Sequence, residues 1–336
     1  MTIVTSYTDE QARALINVRQ RYEVWMDVER ELAQLPYDLR RKVISGRAYL
    51  YKIHDRGGNG TSLGPWSDDN EALFETYRSK KQQAKVRREI SKAALDESGR
   101  LARALRLPML ASAAGPILRE ADRRRLLGTT VLIVGTNTMA AYASEAGGII
   151  RTMPDETEDL DMAWTESDIN ANNDQVLWQL LKAVDPTFTV NTERTFQARN
   201  AKAYEVEILV APSRAATMAR TDRPRPVPLP EQEWLLEGRY VDQVVICRDG
   251  SPARIVAPDP RWFALQKLWM SEQSKRNPLK RSKDWKQGLL LLDAIAEAMP
   301  HYLLDAEFEA RLPGELAPYF VRWHDQRKIT HAPAWR

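Results

Sequence analysis

One cysteine, Cys247, stands in 336 residues. That excludes an internal disulfide and any multi-cysteine metal or redox site, and it fits a reducing compartment. Histidine is almost as scarce. His54, His301, His324 and His331 are scattered, with no metal-ligand spacing among them. Long apolar runs are missing: "TVLIVG" and "GLLLL" fall far short of a membrane span. The amino-terminal stretch "MTIVTSYTDEQARALINVRQ" has no apolar core of the secretory kind. The expectation is a cytoplasmic protein. The stretch "GTSLG", Gly60 to Gly64, has the Gly-x-Ser-x-Gly spacing but follows the glycine-rich hairpin loop rather than a strand-to-helix elbow, and Cys247 has no activating partner in view, so serine or cysteine nucleophilic catalysis has no support. A dominant charge is lacking too: 49 Lys and Arg against 46 Asp and Glu leave a net of +3, so there is no global polyelectrolyte character.

What is present is an ordinary folded composition, 43% hydrophobic and 28% charged, on a chain long enough for two or three subdomains. Thr8 and Gln11 have the spacing of a capping box. Leu15, Val18, Tyr22, Trp25, Val28 and Leu32 then make one apolar stripe, predicting a helix of about seven turns that Pro36 stops. Alternation at Tyr49, Tyr51 and Ile53 predicts a strand, and Gly57, Gly58 and Gly60 a hairpin loop. A long helix follows from Ser67, with acids in its first turn. It turns basic between Arg78 and Lys92, where Glu89 is the only acid. Such a run is either a solvated face or a contact for a phosphate-rich partner. Arg119, Arg123, Arg124 and Arg125 extend the bias.

The middle of the chain reads differently. "TTVLIVG" is a buried strand, "NTMAAYASEAGG" a short helix with a glycine stop, and "GIIR" an extra strand. "EDLDMAW" alternates acids with Leu160, Met162 and Trp164, as a strand with one wet face does. "NNDQVLWQLLKAV" is a helix; "TFQARN" and "AYEVEILVAP" are strands. "TDRPRPVPLP" is an extended connector, and "VVICRDGSPARIVAP" a hairpin about Asp249-Gly250. The remainder is helical, from "PRWFALQKLWM" through "KDWKQGLLLLDAIAEAM" to about Lys328, and "ITHAPAWR" reads as a disordered tail.

Asp159 and Asp161 are two apart on a strand and so share a face; Glu205 and Glu207 do the same. Acid-x-acid pairs also occur at Asp27/Glu29, Glu231/Glu233 and Glu307/Glu309 without such a setting. If the strands of Asp159 and Glu205 are neighbours, three or four carboxylates converge. Bare carboxylates that close hold a proton or a cation, and a hard divalent ion such as Mg²⁺ resolves the repulsion. The bland alternative is the wet face of an antiparallel sheet. A metal-dependent glycosyltransferase also uses Asp-x-Asp, but the strand-helix repeat that opens such enzymes is not seen.

A strand, Gly135-Thr136 at a helix start, Asp159-x-Asp161 on a strand and Glu207 on a later strand together resemble the nucleotidyltransferase superfamily of the DNA polymerase β type. "VGTNTMAAY" and "TEDLDMAW" are similar to a bacterial branch of nucleotidyltransferase-fold proteins, a likeness that extends through "WFALQKLW" and "KDWKQGLLLL" to roughly two thirds of the chain. The resemblance implies an α/β (α+β) fold, a mixed sheet with flanking helices, with helical regions at both ends. The divisions expected are 1–125, mainly helical with a β-hairpin; 126–258, the nucleotidyltransferase core; and 259–328, a helical region. It further implies that Asp159 and Asp161 bind two Mg²⁺ ions, that Glu207 completes the metal site and helps activate the attacking hydroxyl, and that Gly135 and Thr136 hold the triphosphate of an NTP such as ATP. Thr136 stands where Ser is commoner, and Glu207 where Asp is usual.

Lys267 has two readings: a helical lysine facing the triphosphate, as is frequent in the superfamily, or part of a solvated basic helix. Lys275, Arg276, Lys280, Arg281, Lys283 and Lys286 read singly as solvated. Together with the helix from Arg78 to Lys92 they suggest a groove for a polyanionic acceptor, RNA first. The expected activity is metal-dependent transfer of a nucleotidyl group from an NTP to a hydroxyl acceptor. The alternative is a catalytically silent nucleotide- or RNA-binding protein of the same fold.

Overall fold

The computed structural model describes residues 2–55, 57–155, 157–168 and 175–330. Contacts divide the chain into two compact units, Arg19–Ser98 and, as the other, Met1–Val18 with Gly99–Arg336. Among the described residues no helix is long and apolar enough to cross a membrane.

The chain opens with β1 (Val4–Ser6) and α1 (Asp9–Ala33). The capping box is present: the Thr8 N–H donates to Gln11 Oε1 at 3.0 Å and the Gln11 N–H to Thr8 Oγ1 at 3.2 Å. Val18, Tyr22, Trp25 and Val28 of the helical stripe are buried. In the smaller unit, β2 (Asp38–Ile44), β3 (Arg47–Ile53) and β4 (Gly60–Pro65) form an antiparallel sheet beside α2 (Asp68–Ala104). Leu35, Leu39, Leu50 and Tyr77 make its small core. β2 went unread in the sequence because "DLRRKVI" buries only Leu39, so it carries no alternation to detect.

The larger unit continues with β5 (Met109–Leu110), α3 (Ala114–Arg123), β6 (Val131–Val134), a 3₁₀ turn (Gly135–Thr138) and α4 (Met139–Glu145). Then come β7 (Gly148–Ile150), β8 (Asp159–Trp164), α5 (Val176–Val184), β9 (Thr189–Val190), β10 (Gln197–Arg199) and β11 (Glu205–Val210). It closes with β12 (Val241–Cys247), β13 (Pro252–Ala257), α6 (Pro260–Glu272), α7 (Pro278–Ala298), α8 (Ala306–Ala310) and α9 (Ala317–Thr330). The fold is mixed α/β with several sheets and flanking helices, as expected. The central sheet has the order β6-β8-β11-β10-β9. Only its β8–β11 pair is parallel; the others are antiparallel. A second sheet, β13-β12-β5, includes the hairpin about Asp249-Gly250. The extra strand "GIIR" exists as β7, but it pairs with β1 outside the central sheet. The very short β1, β5 and β9 are too brief for any periodicity to show. Of the expected tail, Ile329 and Thr330 end α9, and residues 331–336 lie outside the described residues, as do 172–174 ahead of α5.

α6 and α7 pack closely because of one residue. A Cβ on Gly288 would stand 2.6 Å from the Ala264 carbonyl and 2.7 Å from Leu268 Cγ. Glycine inside a helix is unfavourable by about 1 kcal/mol relative to Ala; here its missing side chain is what lets the two backbones meet. α7 begins at Pro278, earlier than the lysine-rich run suggests, and the Asn277 side chain accepts from the Leu279 N–H at 2.9 Å as its cap.

Candidate active site

β8 and β11 lie side by side and parallel, with Asp159 opposite Glu205 and Asp161 opposite Glu207. Adjacent strands are about 4.8 Å apart, and residues two apart share a face, so four carboxylates rise from one patch of sheet. Their alternates Leu160, Met162, Val206 and Ile208 are at most 1% exposed in the core beneath. The alternation of acid and apolar residues thus fixes which side of the sheet carries charge, and core packing holds the register.

On the other side of β8, Val134 at the end of β6 pairs with Asp161. The chain then leaves the sheet at Gly135 with φ +71°, a backbone conformation that favours glycine. A Cβ there would fall 1.9 Å from Asp161 Oδ2. Glycine is therefore required twice, by backbone and by the carboxylate lying against it. The turn is tied to the acids: the Asn137 amide donates to the Asp159 carbonyl at 2.7 Å, and the Thr138 hydroxyl to the Gly135 carbonyl at 2.8 Å. Gln287 of α7 donates to the Pro154 carbonyl at 2.6 Å and to Thr136 Oγ1 at 3.4 Å. Gly135→Ala is expected to lower stability by about 2 kcal/mol through strain alone, and to displace Asp161 as well. A urea titration checks the first effect and a transfer assay the second; an unchanged midpoint would show that the turn relaxes freely.

The four acids face opposing charge. A cleft of about 330 Å³ is lined by Thr136, Thr157, Glu158, Asp159, Asp161, Ala203 and Glu205 on the sheet side, and by Lys267, Arg276, Lys280, Lys283 and Asp284 from α6, α7 and their connection. Lys280 Nζ lies 3.7 Å from Asp159 Oδ2. Burial, reinforced by the charges of Asp159 and Glu207, pushes the Asp161 carboxyl up to about 7. Glu207 is raised as well, by burial first and then by Asp159. The buried Gln197 of β10 donates to Glu205 Oε2 at 2.6 Å and to Glu207 Oε1 at 3.2 Å. Asn191 donates to Gln197 Oε1 at 2.8 Å, which fixes that amide's orientation.

The residues singled out in sequence come together unevenly. Asp159, Asp161, Thr136 and Lys267 all line the cleft. Gly135 shapes its edge against Asp161. Glu207 shares the face beside Asp161, but it is Glu205 that reaches the cleft lining. Lys267 is not part of a solvated helix. Its side chain is 6% exposed and its ammonium donates to Asp284 Oδ1 at 2.8 Å, while Arg276 donates to Asp284 Oδ2 at 2.7 Å. Arg276, Lys280 and Lys283, read singly as solvated, form the cationic wall; their role needs the α6–α7 packing, which no local pattern shows. The Asn277-Pro278 pair could have placed Lys280 in the first turn of a helix. Gln197 and Gln287 carried no signal in sequence.

Among the described residues, no group of three or more His, Cys, Asp and Glu side chains is arranged so that it could hold a metal ion. What the sheet face offers is an open, hard-oxygen set led by Asp159 and Asp161. That donor chemistry suits Mg²⁺, which takes one or two carboxylates and leaves its other positions to water and substrate phosphates.

The sequence model of a family described as "Nucleotidyltransferase" matches residues 112–311. The matched span runs from the turn before α3 through α8, and so takes in the whole central sheet, the cleft and its cationic wall. No curated protein and no solved structure matches the chain.

Proposed function

The chain belongs to this nucleotidyltransferase family, and we propose that it moves a nucleotidyl group from an NTP to an acceptor hydroxyl at the cleft of Asp159 and Asp161. The observation that carries the reading is the opposition of walls: carboxylates on β8 and β11 face Lys280, Lys283 and Arg276 across one cleft. A triphosphate between them meets cations on one side and an acid cluster on the other. Mg²⁺, two ions by the resemblance, would be held by Asp159 and Asp161 with Glu207 adjoining, and it supplies neutralisation of the attacking and leaving oxygens of an in-line displacement.

The chain's own groups divide the remaining work. Glu207, raised above an ordinary carboxylate, is the better proton acceptor for the attacking hydroxyl, and Gln197 holds it in place. Lys280, Lys283 and Arg276 stabilise the charge that builds on the departing pyrophosphate. Thr136 Oγ1 accepts from Gln287, which leaves its own O–H to donate to a phosphate oxygen.

RNA remains one acceptor class within this reading. The basic run of α2 supports it less than its charge suggests. Arg87 pairs with Glu31 at 2.9 Å, Arg88 lies 4.0 Å from Glu29, and Lys81 donates to the Tyr37 carbonyl beside Asp38. Lys85 is exposed. The test is incubation with each labelled NTP, Mg²⁺ and, separately, RNA, protein and small-molecule pools, following label transfer and pyrophosphate release. Release that depends on one pool supports the reading. Nucleotide binding without release over every pool would establish the silent, nucleotide-binding alternative.

A further inference from the structure

A second cavity, of about 590 Å³, adjoins the cleft and shares Thr157, Glu158 and Ala203 with it. None of the cations of α6 and α7 lines it. Its interior includes Ile117, Phe188 and Tyr204, three large apolar surfaces that are 1%, 1% and 8% exposed. The Tyr204 hydroxyl is shut off from solvent and has no hydrogen-bond partner among the described residues, an expensive state for a buried polar group. Its neighbour Ala203, on the partition between cleft and cavity, holds φ +62°. The Asn200 side chain fixes that turn, accepting from the Lys202 and Tyr204 N–H groups at 3.0 Å each. Non-glycine residues are strained in that conformation, and such strain recurs at ligand clamps.

An in-line displacement puts the acceptor on the side of the reacting phosphorus away from the leaving pyrophosphate. Pyrophosphate belongs with the cationic wall, so the acceptor belongs with the cavity that has none of that wall. From this geometry we infer that the second cavity is the acceptor site, and that it takes one ring-bearing, hydroxylated unit of nucleoside size. The inference rests on the transfer reading above. Volume and lining fit such a unit, since small-ligand sites span about 300–1,000 Å³ and pair apolar walls with a few polar groups. The rim carries Lys202 and Arg248 but also Glu158 and Asp185, so it is no track for a polyanion. The unit is either a free nucleoside or the 3′ end of an RNA, with only its last residue inside.

The probes are adenosine, guanosine, cytidine and uridine, a short RNA ending in a 3′ hydroxyl, and the same RNA ending in a 3′ phosphate. At least one probe should raise the melting temperature of the wild-type protein. Ser112→Trp, at the cavity lining, should remove that shift and raise the acceptor KM at least tenfold, while leaving affinity for a non-hydrolysable NTP unchanged. Ala113→Trp, at an exposed position of the same lining, should weaken the same probe if Ser112→Trp does not fold. Labelling of free nucleosides identifies a small acceptor. Labelling of the 3′-hydroxyl RNA alone identifies a chain end, and the 3′-phosphate RNA should stay unlabelled. The inference is overturned if no probe shifts the melt, if both variants keep the wild-type acceptor KM, or if NTP affinity falls instead. A probe-dependent shift without pyrophosphate release would sink the transfer reading and leave the cavity as a binding site.

Discussion

Asp161→Asn is expected to lower nucleotidyl transfer by roughly two to three orders of magnitude, the loss typical when one preorganised electrostatic group is taken from a reaction site. Without divalent ions the same change should make the folded protein more stable at pH 8. The sign follows from the carboxyl being pushed up to about 7 in the fold, against an ordinary 3.8. Below about pH 4 the group is protonated whether the chain is folded or not, and it imposes no penalty. As pH rises toward 7 the unfolded chain releases that proton first, so folded stability declines, and above 7 the full penalty stands. Three pKa units correspond to about 4 kcal/mol. Because Asp161 is only half-buried, an effect of about 2–4 kcal/mol is expected. Glu207, raised by the same neighbours, acts in the same direction. Urea midpoints measured in chelator at pH 5 and pH 8 should fall for the wild type and stay flatter for the variant. Added Mg²⁺ should recover the wild type and do little for Asp161→Asn. A variant no more stable at pH 8, with transfer intact, would show that Asp161 is not held in a repelling cluster.

Asp161 was legible in sequence for the same physical reason that its pKa is raised. A strand that buries Leu160, Met162 and Trp164 must present Asp159 and Asp161 together, and period-two alternation is a local signal. Gly135 was legible for a different reason, as the end of an all-apolar run, although the need for a bare α-carbon comes from contact with Asp161 across the sheet. The cationic wall was not legible. Lys280 and Lys283 look like any solvated lysines until Gly288 lets α7 close on α6. The Gln197 contact with Glu207 depends on the β10–β11 register, seen only once Gln197 lies opposite Glu207. Sequence showed the half of the site built by one strand's periodicity. The half built by packing between elements distant in the chain had no local pattern to betray it.

Lys267 belongs to that second half, and its partner should show the largest stability effect in the larger unit. Asp284 is 2% exposed on its side chain and accepts from both Lys267 and Arg276. Removing one member of a buried ion pair leaves the other charged and unsolvated, a loss of about 3–5 kcal/mol. Asp284→Leu should fall in that range by urea titration. Burial alone would raise the Asp284 carboxyl, but Lys267 and Arg276 more than offset it and hold it below the ordinary value. Its stabilisation is therefore present above the unfolded carboxylate range, near pH 4, and is lost as pH falls through the lower folded value. Asp161 works against stability at the opposite, alkaline end, so the two variants should flatten opposite limbs of the stability profile. Lys267→Met with Asp284→Leu replaces the pair by apolar groups of similar size and should recover most of the lost stability, leaving the partly exposed Arg276 to reach water. Transfer separates the roles of Lys267. If its ammonium meets the triphosphate as well as Asp284, the refolded double variant should show a KM for NTP raised about tenfold or more, one lost charge-assisted contact being worth about 1.5–3 kcal/mol. If Lys267 only neutralises Asp284, the double variant should bind NTP like the wild type, and the cleft's phosphate contacts would fall to Lys280, Lys283 and Arg276.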